Sequence, residues 1–447
     1  MAEPTTTPCW LFSDLADKLV VMQFEERQGS SDGGALLLKA ADRRLGLTRA
    51  LAAGPEDGRQ AGKVEHGLDE RLRQRGRAIA CGYEDAHAAA RLASGPVHRL
   101  LVGRDPGEGA DLASQPTLWR FENTPDRKPG ARHRRRLQGR ARGIPIDLDP
   151  TDDPTHGAQP WALFNGPYDT WGYLPLRGFL SFNDEPEQYL FTAVLRSGKA
   201  VAWQGARGIL RRWLKKLRRA FPGVRIWIRL DGGFAAPRLL DFLDAPPDVK
   251  YVVAMAKNAG LQRQAKRPLR QARRLSRRTG KTAHLYPEAF YAARPWSHRR
   301  RRVIKAEIVR QAGKHPKDNP RFLIPNLRQT PAWVYEQGDC PRGEVENRLQ
   351  ELHDGLEIGR TSCTNFWAHQ FPVLMRAAAY VLMQELRLRA ARTDCARAQV
   401  WTLRERLLKL GARVVGSVRR LGVHLPAAFP FCPTFQQLAL ALGARAG

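Results

Sequence analysis

The chain has 447 residues, 43% of them apolar, and its 74 Lys and Arg exceed 44 Asp and Glu to give a net charge of +30 at pH 7. That apolar content excludes wholesale disorder, and the length suggests two or three domains. The surplus of positive charge exceeds what solubility needs and attracts polyanions, nucleic acid above all, with Arg-rich solvated faces contributing to it.

Residues 30–34 form a turn and N-cap signal before the apolar run 35–41. Residues 64–92 carry a helical period through Leu68, Leu72, Ile79 and Ala80. Ser114 and Pro116 mark the capped start of a helix over 114–123, whose residues suit either a DNA groove or a core. Together 1–123 predicts a mostly helical N-terminal DNA-binding domain. The stretch 124–143, with Arg132 to Arg136 at its centre, predicts a basic linker.

Strands follow at 144–150, 171–181 and 188–196, then a basic amphipathic helix at 206–221 and an alternating strand at 224–230. A short helix at 235–243 and a strand at 250–256 complete 144–257. Three strands, then helix, strand, helix, strand is the order of an α/β ribonuclease H-like core. Residues 258–337 predict a basic, β-rich insertion. Arg270, Arg273 and Arg274 stand in its basic run, in positions to face phosphate. Strand-like pieces lie at 286–292, 301–310 and 321–327. The core resumes over 338–392, with helices from Gly343 and over 364–390, before a basic C-terminal region at 393–447.

Six cysteines, none in Cys-x-x-Cys spacing, argue against disulfides and structural zinc and fit a reducing cytoplasm. Residues 1–10 lack the basic and apolar regions of a signal peptide. The most apolar run, 377–383, is too short to span a bilayer. A soluble, cytoplasmic, nucleoid-associated protein without membrane contact is expected.

Four aspartates crowd residues 147–153. Period-two geometry puts Asp147 and Asp149 on one strand face, opposite Ile146 and Leu148. Asp231 ends the strand 224–230 and precedes Gly232 and Gly233. Ligands of open α/β sheets gather at such strand ends. Glu346 stands at a helix start. Carboxylates of this kind suit Mg²⁺, with Mn²⁺ as a substitute, and the phosphoryl-transfer chemistry that metal pairs support. Asp149 is the nearer choice for first ligand, with Asp147 as its rival.

The sequence resembles insertion-sequence transposases with an Asp-Asp-Glu triad, specifically the thirteen-eighty family of insertion sequences. The resemblance rests on an ordered set: Ser30 to Gly34, Ile79 to Asp85, Asp111 to Leu118, Asp147 to Asp149 with Thr151 to Gly157, Phe164 to Gly166, and Arg342 to Arg348. It implies a ribonuclease H-like core with a β-rich insertion before the glutamate. It carries the catalytic and metal roles to Asp149, Asp231 and Glu346, phosphate or DNA contacts to Arg342 and Arg348, and base stacking to Trp296, for which a place in the core is the other reading. Double-stranded DNA at element ends and target, and a homodimer on that DNA, are the expected partners. Gly232, Asp339 and His353 stand where the pattern carries Ser, Tyr and Lys. The implied function is Mg²⁺-dependent end cleavage and strand transfer. A nuclease or resolvase with the same core, and an inactive DNA-binding relic, are the alternatives.

Overall fold

The computed structural model describes residues 9–12, 20–23, 26–53, 59–123, 141–155, 157, 159–183, 185–340, 343–360, 363 and 365–445. Most of the expected basic linker lies outside them, as do His156 and Arg342. The chain forms two units, one from Met1–Phe121 with Ala378–Gly447 and the other from Glu122–Ala377. Among the described residues no helix is long and apolar enough to cross a membrane.

In the first unit the helical period of 64–92 makes two helices, Leu68–Ala80 and Ala86–Ala90. The chain turns at Gly82, whose φ of 91° favours glycine. Asp85 then caps the shorter helix by accepting from Ala88 N at 2.7 Å. Buried Arg75 ties this turn by donating to the carbonyls of Tyr83, Glu84 and Asp85. The C-terminal segment belongs to the same unit, since Ala412–Gly416 pairs with both Leu421–His424 and Gly29–Ser30. Gly34 permits that approach, because a Cβ there would stand 1.6 Å from Leu407 O.

Beside it, Asp32 is wholly buried and accepts from Tyr83 Oη at 2.7 Å, His98 Nε2 at 2.8 Å and Lys409 Nζ at 2.9 Å. Burial alone would raise this carboxyl, but the hydrogen bonds from His98 and Lys409 hold it below its ordinary value. The motif Ser30 to Gly34 thus closes the unit on itself.

The second unit is built on one mixed sheet. β1 (Gly143–Pro150) pairs antiparallel with β2 (Leu176–Leu180), and β2 with β3 (Tyr189–Val194). After α1 (Ala206–Ala220), β4 (Arg225–Leu230) runs parallel to β1. After α2 (Pro237–Asp244), β5 (Val249–Ala254) runs parallel to β4. Following α3 (Ala259–Thr279) come β6 (Ala283–Leu285), β7 (Arg300–Val309) and β8 (Arg321–Pro325). The sheet order is β6-β7-β8-β5-β4-β1-β2-β3. The strands expected as an insertion therefore extend the same sheet, through antiparallel pairing of β8 with β5.

The strand expected over 171–181 is two strands. Pro175 has no N–H to give to a ladder. Thr170–Tyr173 joins Asp153–Pro154 and Leu163–Asn165 in a small separate sheet, and only β2 stays in the main one.

Alternation sorts the faces of the main sheet. Ile144, Ile146, Leu148, Ile226, Ile228 and Leu230 are all fully buried against α1 and α2. Each contributes about 1.5–3 kcal/mol by burial. Further along the same face, α3 packs Leu261, Ala265 and Leu269 on Ile304, Ile308 and Phe322. The opposite face holds the polar residues of β1, β2 and β4. Two helices follow the sheet, α4 (Gly343–Leu356) and α5 (Phe366–Arg389). Gln370 of α5 accepts from Leu195 N at 2.7 Å and donates to Ala193 O at 3.2 Å, satisfying backbone groups at the β3 edge.

Candidate active site

The register pairs Leu148 with Leu230 across β1 and β4. Asp149 and Asp231, one residue further along each strand, therefore stand together at the C-terminal ends of two parallel neighbours. Both are half-buried and lie on the face opposite the apolar one. One turn of the pleat earlier, Asp147 is 1% exposed and accepts both Arg229 Nε at 2.8 Å and Arg229 Nη2 at 2.6 Å. A bidentate pair of this kind satisfies both charges. Asp147 is thereby tied into the sheet, and Asp149 is the carboxylate that reaches the strand end.

Asp231 Oδ1 accepts from Gly233 N at 2.8 Å, and the turn Gly232–Phe234 follows. A Cβ at Gly232 would stand 2.8 Å from Ala256 N. The serine of the family pattern would need the exit of β5 to shift, which gives a packing reason for glycine there.

Tyr168 was not singled out by sequence reasoning. It sits in the turn after Asn165-Gly166, and its hydroxyl donates to Pro150 O at 3.2 Å. Burial, followed by the charges of Asp149, Asp231 and Asp152, pushes its phenol up to about 12. It stays protonated and can donate a hydrogen bond beside those carboxylates. The turn signal of Asn165-Gly166 was legible, but its proximity to the strand ends was not.

Behind Asp149 lies a buried polar group that sequence reasoning also missed. Arg177 faces Asp149 across β1 and β2 and is fully buried. None of its guanidinium nitrogens has a hydrogen-bond partner among the described residues. Burial lowers it to about 10. Asp153 is likewise fully buried, with neither carboxyl oxygen partnered among those residues. Burial pushes it up to about 7, against the pull of Arg177 and Arg376. A Cβ on Gly359 would lie 3.0 Å from Asp153 Oδ1 and 3.3 Å from His353 Cε1, so the three residues converge. Burial and then Arg177 depress His353 to about 4, which keeps it neutral at physiological pH, unlike the lysine of the family pattern. Unpartnered buried polar atoms cost about 1–3 kcal/mol each, and internal water is their usual remedy.

Glu346 is exposed in the first turn of α4. Among the described residues, the group whose potential metal-ligand atoms all lie within 4.8 Å of one another is Asp241, Asp244 and His298, not the expected triad. Arg300 already donates to Asp241 at 2.6 Å and to Asp244 at 2.9 Å, and its guanidinium offsets one of their two negative charges. That group clamps the chain before β7 onto α2, with Ser297 Oγ donating to Asp241 at 2.5 Å.

Arg348 donates to Glu351 at 2.9 Å within α4. Arg273 is paired with Asp318 at 2.6 Å, whereas Arg270 and Arg274 are exposed on the outer side of α3. Trp296 is partly buried, with Arg300 stacked at 5.2 Å from its ring centre. It lines a cavity of about 570 Å³ together with Trp203, Arg238 and Arg294.

A family model for the group 1 DDE transposase domain matches residues 12–445. The chain belongs to that transposase family. Among solved structures, the piggyBac transposase synaptic complex with hairpin DNA is similar to this transposase at a TM-score of 0.37 and 13% identity. That likeness covers 80% of this chain and 74% of the other, and it is too loose to bear on the site. No curated protein matches the chain.

Proposed function

We propose that this transposase cleaves DNA at the ends of an insertion sequence of the thirteen-eighty family and joins the freed 3′-hydroxyl to target DNA. The carrying observation is the pair Asp149 and Asp231 at adjacent parallel strand ends, with Asp147 withdrawn into an ion pair. The strand order β3-β2-β1-β4-β5, with only β2 antiparallel to its neighbours β1 and β3, supports a ribonuclease H-like core.

The hard oxygen donors of Asp149 and Asp231 fit Mg²⁺ or Mn²⁺, with Glu346 from α4 as third ligand. A divalent ion there would stabilise the charge that builds on the phosphoryl group. The chain's own part is to fix the carboxylates on a rigid sheet. Exposed cations of α1 and α3, Arg270 and Arg274 among them, hold duplex phosphates. Arg342 and Arg348, four residues before and two after Glu346 in the sequence, are phosphate contacts. Trp296 and its cavity offer one stacking face for a displaced base.

Purified protein is incubated with Mg²⁺, a labelled duplex carrying the inverted repeat that flanks the reading frame, and a target plasmid. Joined product is expected from the wild type and not from an Asp149→Ala, Glu346→Ala double variant. Equal cleavage by that double variant would sink the site. Cleavage without joining would make the protein a nuclease or resolvase. The second reading, a DNA-binding protein without catalysis, is favoured by the exposed position of Glu346. Tight end binding with no cleavage in Mg²⁺ or Mn²⁺ would establish it. The expected homodimer is checked by the mass of the protein–DNA complex.

A further inference from the structure

The small sheet formed between β1 and β2 carries exposed aromatic side chains. Trp161, Phe164 and Trp171 are 64%, 44% and 62% exposed. Phe164 and Trp171 are directly opposed across the strands, with ring centroids 5.9 Å apart. Exposed rings opposed in this way mark interaction surfaces.

Trp161 is also held in a costly conformation. Its φ of 67° is disfavoured for a bulky residue. Its carbonyl accepts from Gly198 N at 3.2 Å and Ser197 Oγ at 3.2 Å, and Asn165 Nδ2 secures Gly198 O at 2.7 Å. The surrounding bonds therefore present this indole to solvent against its local preference. Beside Trp171 opens a cavity of about 690 Å³ that Thr155 and Gln159 also line, a size that small-molecule sites share. Thr155 Oγ1 and Gln159 Oε1 have no hydrogen-bond partner among the described residues.

We propose that this face stacks unpaired nucleotides of a DNA strand at the cleavage site, an inference that rests on the active-site reading above. A nucleobase brings flat faces for Trp161, Phe164 and Trp171. Stacking of this type is tolerant of sequence, which suits an enzyme that meets varied flanking DNA. The patch adjoins the site through Tyr168, which lies in the turn between the strands that carry Phe164 and Trp171 and whose hydroxyl donates to Pro150 O at the end of β1. Asp153, in the same small sheet, is four residues beyond Asp149, at most ~14 Å of chain.

The full-length protein is tested in EDTA, where metal-dependent cleavage is silent. One probe is a blunt duplex of the flanking DNA; the other is the same duplex with a short unpaired tail containing a fluorescent adenine analogue. A Trp161→Ala, Trp171→Ala double variant is expected to lose about tenfold or more in affinity for the tailed probe. It should also lose the quenching of the analogue, with blunt-duplex affinity and thermal unfolding unchanged. Trp→Phe replacements at both positions should keep most of the tail preference, which guards against a folding effect. Equal tail binding by the alanine variant, or equal loss on both probes, overturns the proposal. So does a fall in the protein's solution mass with tail binding intact, which would make the face a contact between copies of this chain. Cleavage that persists in Asp149→Ala would remove the active-site reading while leaving this binding result to stand or fall by itself.

Discussion

Asp32 in the first unit and Asp153 in the second are both fully buried, yet they are provided for in opposite ways. Asp32 receives three donors from three separate stretches of chain, and they outweigh the cost of burying its charge. Asp153 receives none from the described residues, and burial lifts its proton affinity instead. A carboxylate surrounded by donors ties a fold together. Along β1, Arg229 locks Asp147 into the sheet with two hydrogen bonds.

The largest effect is expected at the strand ends. Asp149→Asn or Asp231→Asn should lower end cleavage by more than about 100-fold, with the urea midpoint close to that of the wild type. Asp147→Asn should do the reverse in unfolding experiments. It leaves Arg229 buried and poorly paired, at a cost of about 3–5 kcal/mol. A stable Asp147→Asn protein without cleavage would exchange the roles of the two residues.

Asp32→Ala should destabilise the first unit by about 3–5 kcal/mol, because His98 and Lys409 lose a shared buried counter-charge. Urea unfolding followed by tryptophan fluorescence measures it, and a change below about 1 kcal/mol would end the contrast with Asp153.

Asp153 gives the pH test. Its folded value of about 7 stands above an unfolded value of about 3.9, so the native state keeps the proton longer than the unfolded chain. The stability it contributes is complete below about pH 4 and is lost as the pH rises toward 7. Asp153→Asn should remove this decline, so the variant should gain on the wild type between those limits. Parallel pH slopes for the two proteins would show that Asp153 has a partner in solution.

The smallest effects belong to single surface cations. Arg270→Ala and Arg274→Ala should each reduce the salt dependence of DNA binding by about one unit of slope per lost phosphate contact. Arg273→Ala should do less, since Arg273 is already paired with Asp318.

Much of this architecture was legible along the chain. The alternation of residues 225–230 gave β4, and the amphipathic period of 206–221 gave α1, because side-chain periodicity is a local property. Asp149 and Asp231 were recognisable as strand-end carboxylates for the same reason. The split at Pro175 was available from its missing N–H but was outweighed by the β-forming residues around it. Strands β7 and β8 were found as strands, while their addition to the main sheet depended on β8 meeting β5 across intervening helix and loop.

The sequence by itself therefore determined the charge that suits DNA, the strand and helix periods, and two of the candidate carboxylates. Only the tertiary structure set Asp147 apart from Asp149, because Arg229, which pairs with Asp147, lies 82 residues away. It likewise gathered Arg177, Asp153 and His353 behind the strand end and set Tyr168 beside it. Burial and pairing are properties of neighbours in space, and residues far apart in sequence become neighbours only through the register of the sheet.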